Sequence, residues 1–316
     1  MKVYIVLAAY NGEFFISQQL DSIISQYFRE WVLLIRDDGS SDSTLSIIDN
    51  YVKTDCRIKF VEDNYGQLGT AASFFLLSQH AYGLGADYVF FADQDDVWNL
   101  NKISNQICFM RQSENYFLDP VPVAVYCDLA VVDQQLKILH PSYMGVKKIN
   151  YNLLSEVKNL IFENSTTGCA LLVNRALLEK SLGSCVSGVI MHDWWFTLLA
   201  AAEGVVKFDS YVGVNYRQHE RNQIGVNELT LSRFFISKLG KGSRKANKIF
   251  FSRVLSQAKS LRDVVSPSSK CFPFLDELSC LSEMGFLRRL AFVVKYKVRR
   301  RGFISTALLW CRILIY

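Results

Sequence analysis

An apolar run, Val89-Phe90-Phe91-Ala92, stops abruptly at three acidic residues, Asp93, Asp95 and Asp96, before Val97-Trp98. The run reads as a buried strand. Carboxylates beside Phe90 and Phe91 are costly to bury unless something positive neutralises them. A divalent cation is the natural partner, because Mg2+ or Mn2+ prefers carboxylate oxygens and keeps positions open for phosphate. The stretch therefore predicts a metal held at the carboxyl end of a strand, where open α/β sheets bind ligands.

The first 119 residues contain no proline and alternate strand-like with helix-like segments. Strands are expected at Lys2–Ala8, Trp31–Arg36, Ile58–Val61 and Tyr88–Ala92. Helices are expected at Glu13–Gln26, Asp42–Tyr51, Leu68–Ala81 and Asn99–Glu114, from their apolar spacing. This order implies a mainly parallel α/β sheet with helices on both faces. The opening Lys2–Ala8 run is too short for a signal peptide and reads as the first buried strand.

After Pro120 and Pro122 the pattern changes. Short strands are expected at Val123–Tyr126, Leu129–Val132, Cys169–Val173, Val205–Phe208 and Tyr211–Arg217, with helices at Arg175–Leu182 and Asp193–Ala202. The catalytic unit is expected to close near Arg221, giving a first domain over 1–225. Residues 226–316 read as a helical, basic extension, with turns at Gly240-Lys241-Gly242-Ser243 and Ser266-Pro267-Ser268-Ser269.

That extension is unusual in charge. Residues 286–316 hold eight basic side chains and no acidic one, so the remainder carries a net charge of −3 against +5 for the whole chain. Basic residues interspersed with apolar ones, and Trp310 among them, suit a helix lying on an anionic membrane surface. The same pattern fits a helix packed on the catalytic unit with a solvated basic face, or a dimer contact. No nucleic-acid module accompanies the charge. No apolar run reaches the roughly 20 residues that span a bilayer. The eight cysteines show no zinc or redox spacing and read as reduced thiols in a cytosolic protein.

Two further strand ends carry polar loops. Leu7-Ala8-Ala9-Tyr10-Asn11-Gly12 combines small residues with a turn, so that a ligand can approach the backbone. Arg36-Asp37-Asp38-Gly39-Ser40-Ser41-Asp42 offers carboxylates for a pyrimidine N–H or a ribose hydroxyl. Equally, Asp37 and Asp38 suit an Asx turn, and Ser41 or Asp42 a helix N-cap. Neither the phosphate-loop nor the dinucleotide fingerprint occurs.

Taken together, the segments resemble glycosyltransferase family 2, the inverting enzymes with the GT-A fold. The matching pieces are Ala9-Tyr10-Asn11, Asp37-Asp38-Gly39-Ser40, Asp93-Gln94-Asp95 as a D-x-D, His192-Asp193-Trp194-Trp195, Tyr216-Arg217-Gln218-His219 and Asn222. The last pieces, with Ala92–Trp98, look most like the bacterial rhamnosyltransferase subgroup. The resemblance covers roughly residues 1–225.

It implies roles residue by residue. Ala9, Tyr10, Asn11, Glu13, Asp38, Asn64, Gly66 and Asp93 would bind the nucleotide, with Ala9 and Asp38 at a pyrimidine. Asp95 would ligate Mn2+ or Mg2+, and His219 would be a further metal or diphosphate ligand. Asp193 would be the general base, although an N-cap explains it too. Where the family usually has an acid before the base, this chain has His192. Trp194 or Trp195 would stack on the acceptor sugar, unless both are core.

The implied function is an inverting, metal-dependent glycosyltransferase at the inner face of the cytoplasmic membrane. The implied donor is dTDP-L-rhamnose, or else a UDP-sugar, and the acceptor a lipid-linked oligosaccharide of O-antigen or capsule synthesis. Two other classes compete: a sugar nucleotidyltransferase and a non-catalytic nucleotide-sugar-binding membrane scaffold. The first normally carries a Gly-rich basic loop that Ala8–Gly12 lacks. The second has no use for a base such as Asp193.

Overall fold

The computed structural model describes residues 1–182, 188–219 and 241–315. Its first half follows the expected alternation. Strands β1 (Val3–Ala9), β2 (Trp31–Asp37), β3 (Ile58–Phe60) and β4 (Tyr88–Ala92) alternate with helices α1 (Ile16–Ile24), α2 (Thr44–Thr54) and α3 (Thr70–Gly83). All pairings within the order β3-β2-β1-β4 are parallel. Side chains along β1 alternate between two cores. Tyr4 and Val6 face one, and Val3, Ile5, Leu7 and Ala9 the other. A period of two with both faces covered is what a central strand requires.

The second half is mixed. Strand β5 (Val97–Trp98) and helix α4 (Lys102–Glu114) precede β6 (Val123–Val132) and β7 (Ile138–His140). Short helices α5 (Tyr143–Lys147), α6 (Tyr151–Leu154) and α7 (Val157–Leu160) lead to β8 (Leu171–Asn174), α8 (Arg175–Ser181), α9 (His192–Glu203) and β9 (Val205–Arg217). The sheet continues β4-β8-β6-β9-β5, with β8 antiparallel to both neighbours, β6 parallel to β9, and β7 on β6. This is the GT-A arrangement.

Several expected boundaries move, each for a local reason. Helix α1 begins at Ile16 rather than Glu13, because the amides of Phe15 and Ile16 both turn back to the Gly12 carbonyl. Helix α4 begins at Lys102 rather than Asn99, because Val97 and Trp98 pair with β9 and Asn99 donates to the Val212 carbonyl. The N-cap position of α2 is Ser43, and Asp42 instead accepts from the Thr44 amide. The two strands expected around Cys127-Asp128 are one, β6. The two expected at 205–217 are also one, β9. Asp209 pairs with Cys127 and Val212 with Asp128, so the polar interruption is a bulge in a continuous ladder.

The C-terminal helices are α10 (Lys241–Val264), α11 (Phe272–Ser279), α12 (Phe286–Tyr296) and α13 (Phe303–Ile315). The expected turn at 241–243 is therefore the start of a helix. Phe251, Leu261, Leu278, Phe292, Leu309 and Ile313 join the same core as Tyr4, Phe74 and Trp195. Their inner faces thus pack on the catalytic unit. The outer faces leave Leu287, Val294, Phe303 and Ile304 exposed beside Arg288, Lys297 and Arg299. The expected boundary at 225/226, and Arg221, Asn222 and Gly240, lie outside the described residues. Among the described residues, no helix is long and apolar enough to cross a membrane.

Candidate active site

The carboxyl ends of β1 and β4 open into a cavity of about 620 Å³. Asp93, Asp95, Asp193 and His219 share its wall, with Tyr10, Asn11 and Glu13 opposite the same space. A second cavity of about 630 Å³ lies at the other end of the strands, lined by Asp87, Arg111, Glu114 and Arg175 among others. There Glu114 is occupied by Tyr88 and Asn174, so that cavity offers no comparable chemistry.

The chain turns sharply after β1. Asn11 adopts φ +48°, in the left-handed region, and its side-chain oxygen accepts from the Ser41 amide. The Asn11 amide donates to Ser40 Oγ. Gln94, the middle residue of the D-x-D, clamps this loop: its Oε1 accepts from the Tyr10 amide and its Nε2 donates to the Tyr10 carbonyl, both at 2.8 Å. Gly12 lies against the Gln94 amide, where any Cβ would collide with it. Glu13 holds the loop from the other side, accepting from the Ser43 amide.

Arg217, at the end of β9, builds the other wall. Fully buried, it donates from Nε to the Asp95 carbonyl at 2.7 Å and from its amide to Asp96 Oδ1 at 3.0 Å. Its guanidinium stacks over Phe15 at 4.7 Å. Two residues on, His219 stacks on the same Phe15 ring, and its Nε2 stands 2.7 Å from Asp95 Oδ2. The two are hydrogen-bonded to each other at that distance; a first-row divalent cation such as Mn2+ would take this oxygen and nitrogen as ligands by displacing the shared proton. Asp93, Asp96 and Cys169 also cluster within 4.8 Å. That group suits a hard cation less well, because burial raises the Cys169 thiol far above its ordinary value and Asp96 is already bonded to Arg217.

Asp193 lies in the first turn of α9. One carboxylate oxygen accepts from the Trp194 amide at 2.7 Å and the other from Asn164 Nδ2 at 3.1 Å. Burial pushes its pKa up to about 7, and those bonds oppose the shift. Asp93 is also raised to about 7, by burial first and then by the charges of Asp95 and Asp193. A carboxyl group with a pKa near neutrality, held by two hydrogen bonds at a cavity wall, is equipped to take a proton. His192 packs against Phe74 and Phe91, and burial lowers it to about 3. It therefore stays neutral where the family usually has an acid.

Other expected site residues stand elsewhere. Trp194 and Trp195 are core: Trp195 is fully buried, and Trp194 donates its indole N–H to the Leu160 carbonyl. Neither reaches the cavity, because consecutive residues on a helix point about 100° apart and Asp193 takes the inward position. Asp38 is committed to Arg36, to Ser73 Oγ and to the amides of Leu68 and Gly69. Ala9 is buried, with its carbonyl accepting from the Asp38 amide. Asn64 and Gly66 lie on an exposed segment, where the Gly66 carbonyl accepts from Arg36. Asp37 forms an Asx turn with Gly39 and Ser40. None of these lines the cavity in this conformation. Conversely, the site residues Phe15, Asn164, Gly168 and Tyr216 went unassigned from sequence. Only Tyr216 sat in a quoted motif, and Asn164 carries no local signal.

Residues 4–180 match the family model described as Glycosyl transferase family 2. The chain belongs to glycosyltransferase family 2. It is 29% identical over 231 residues to the dTDP-rhamnosyl transferase RfbG of Shigella flexneri, covering 70% of this chain and 74% of that one. It is likewise 29% identical over 178 residues to the UDP-Glc:alpha-D-GlcNAc-diphosphoundecaprenol beta-1,3-glucosyltransferase WfgD of Escherichia coli, covering 56% and 62%. The fold matches S. aureus TarS in complex with UDP-GlcNAc, with a TM-score of 0.57 at 15% identity over 89% of this chain and 71% of that one. It also matches a Pyrobaculum calidifontis mannosyltransferase solved with GDP-Man and Mn2+, with a TM-score of 0.52 at 16% identity over 99% and 80%. This glycosyltransferase is therefore an enzyme of nucleotide-sugar chemistry, not a nucleotidyltransferase or a scaffold.

Proposed function

We propose that this glycosyltransferase is inverting and metal-dependent, and that it extends a lipid-linked glycan for bacterial surface polysaccharide. The observation that carries the reading is one cavity wall shared by Asp193, raised to about 7, and the Asp95–His219 pair. Tyr10, Asn11, Glu13 and Asp93 would line the nucleotide diphosphate. Asp95 and His219 would hold Mn2+ or Mg2+, which when bound supplies Lewis-acid stabilisation of the diphosphate leaving group.

The chemistry at the chain's own residues is a single displacement. The acceptor oxygen attacks the anomeric carbon from the face opposite the diphosphate, the C–O bond to the β-phosphate breaks with its electron pair, and Asp193 takes the acceptor proton. Asn164 fixes the carboxylate in place.

Similarity to the Shigella rhamnosyl transferase favours dTDP-L-rhamnose as donor, ahead of UDP-hexoses. The WfgD acceptor, a diphosphoundecaprenol sugar, supports a lipid-linked acceptor. The exposed apolar and basic face of α12 and α13 fits a peripheral seat on the inner face of the cytoplasmic membrane.

Calorimetry with dTDP-L-rhamnose or UDP-glucose and Mn2+ tests the assignment. Asp95→Ala should lose metal-dependent donor binding, whereas Asp193→Ala should bind donor normally and transfer nothing. Activity retained in Asp193→Ala, or donor binding lost equally in both, refutes it.

A further inference from the structure

His192, the first residue of α9, has no part in the proposed transfer, yet it lines the same cavity as Asp193. It is 3% exposed, and among the described residues neither Nδ1 nor Nε2 has a hydrogen-bond partner. Carbon holds the ring instead: its centroid lies 4.0 Å from that of Phe74 and 5.3 Å from that of Phe91. Burying a polar group without a bond costs free energy. A group that carries this cost at a cavity wall is set for a partner that arrives with the substrate.

Gly168 leaves the imidazole uncovered. A Cβ there would stand 2.8 Å from His192 Nε2 and 3.9 Å from Asp193 Cβ. Gly168 also lines the cavity, and its amide bonds to the Asp193 carboxylate, opposing the rise of that pKa. The missing side chain thus makes a gap with the imidazole on one side and the base on the other. Burial keeps His192 neutral, at a pKa of about 3. A neutral imidazole offers a donor and an acceptor but no charge. That pair suits a hydroxyl, which also donates and accepts, better than a phosphate or carboxylate, which favours a cation. Phe74 and Met191 add apolar surface to the cavity, and Thr70 and Thr167 add hydroxyls. A sugar ring, with C–H faces and hydroxyl edges, matches that mixture. His192 rests on Phe91 of β4, the strand that delivers Asp93 and Asp95. The ring nearest to it is therefore the one whose diphosphate those acids would serve, the donor's.

We infer that His192 hydrogen-bonds a hydroxyl of the donor's sugar ring across Gly168, and so helps to select that sugar. This rests on the proposed nucleotide-sugar site beside Asp193. Calorimetry with Mn2+ tests it on the full chain, with dTDP-L-rhamnose and UDP-glucose set against bare dTDP and UDP. His192→Phe keeps an aromatic ring against Phe74 and Phe91 but has no polar atom. It should bind the nucleotide sugar at least about tenfold more weakly, as loss of a buried hydrogen bond implies, and the bare nucleotide as well as the wild type does. His192→Gln restores a donor and an acceptor and should recover part of the loss. His192→Phe, or the smaller His192→Leu, should melt no lower than the wild type, because an unpaired buried polar group is removed.

Nucleotide-sugar binding unaltered in His192→Phe overturns the inference, even if transfer falls, since the imidazole would then serve the acceptor. Equal weakening for bare nucleotide overturns it too. A wild type that binds neither nucleotide sugar refutes the proposed donors instead, and the melting temperatures still judge His192. A fall in both His192→Phe and His192→Leu makes the imidazole a structural group and overturns its role at a ligand.

Discussion

Asp95 and His219 are 124 residues apart in the chain and 2.7 Å apart in the fold. The contact exists because β9 runs beside both β6 and β5 and delivers its last residues to the carboxyl end of β4. Arg217 fixes the register there by gripping Asp95 and Asp96 through main-chain and side-chain bonds. Phe15, from the loop before α1, supplies the flat surface on which both Arg217 and His219 rest.

The rate of sugar transfer should fall with acid. Asp193 must be ionised to accept a proton, and burial raises its pKa to about 7. Activity should therefore rise with pH through about 7 and level off above it. The folded state holds this proton more tightly than the unfolded chain does. Asp193 thus favours folding at low pH and loses that contribution as pH rises from about 4 to 7. A single-turnover pH profile checks the first statement, and a rate that is flat between pH 5 and 8 contradicts it.

Gly12→Ala should weaken donor binding more than it weakens the fold. The new Cβ displaces the Gln94 side chain, which is flexible, and breaks its two bonds to Tyr10. Two hydrogen bonds of ordinary worth amount to about 1–3 kcal/mol. Titration with nucleotide sugar and Mn2+, alongside urea denaturation, separates the two effects. Normal donor affinity would show that the clamp is dispensable.

Glu163→Gln should loosen the C-terminal pair of helices at a cost of about 1–3 kcal/mol, because a buried carboxylate facing two arginines is lost. Although burial acts against it, the pull of Arg300 and Arg301 holds the wild-type carboxyl below its ordinary value. Its contribution is therefore full at neutral pH and disappears in acid, below about pH 4.5. Hydrogen exchange across residues 286–315 at pH 7 should speed up in the variant alone.

Removing the chain after Gly285, or introducing Leu287→Asp with Phe303→Asp, should move the protein off anionic vesicles. Both leucine and phenylalanine are outward-facing, at 78% and 88% exposed. Flotation reads this directly. The double variant guards against misfolding of the truncated chain, since Phe292 and Leu309 are core residues. Unchanged flotation of the double variant would leave the apolar face without a role at lipid.

The parallel half of the fold was legible because its signals are local. Each strand from β1 to β4 is a short apolar run with a polar loop at its end, and each helix between them has its own periodicity. Asp93 and Asp95 could be singled out because acidic groups at the end of an apolar run stand out in any reading, whereas Asp193 and His219 were reached only through the family resemblance. Strand β9 could not be joined across Asp209-Ser210, because a bulge and a turn look alike in one dimension. Nor could the tryptophans be excluded from the site: His192-Asp193-Trp194-Trp195 states which residues are neighbours, and only the helix phase states which one faces in.

By itself, the sequence determined the alternating α/β frame, the metal-suited acids at the end of the fourth strand and the basic, apolar end. These follow from patterns only a few residues long. Tertiary structure alone decided that Asn164 holds Asp193, that Gln94 locks Tyr10, that Asp38 serves Arg36, and that Glu163 binds the turn before α13. Those bonds join residues that are mostly tens of positions apart or more. Their formation depends on how whole elements pack, and that information is spread over the core rather than written at either end of the bond.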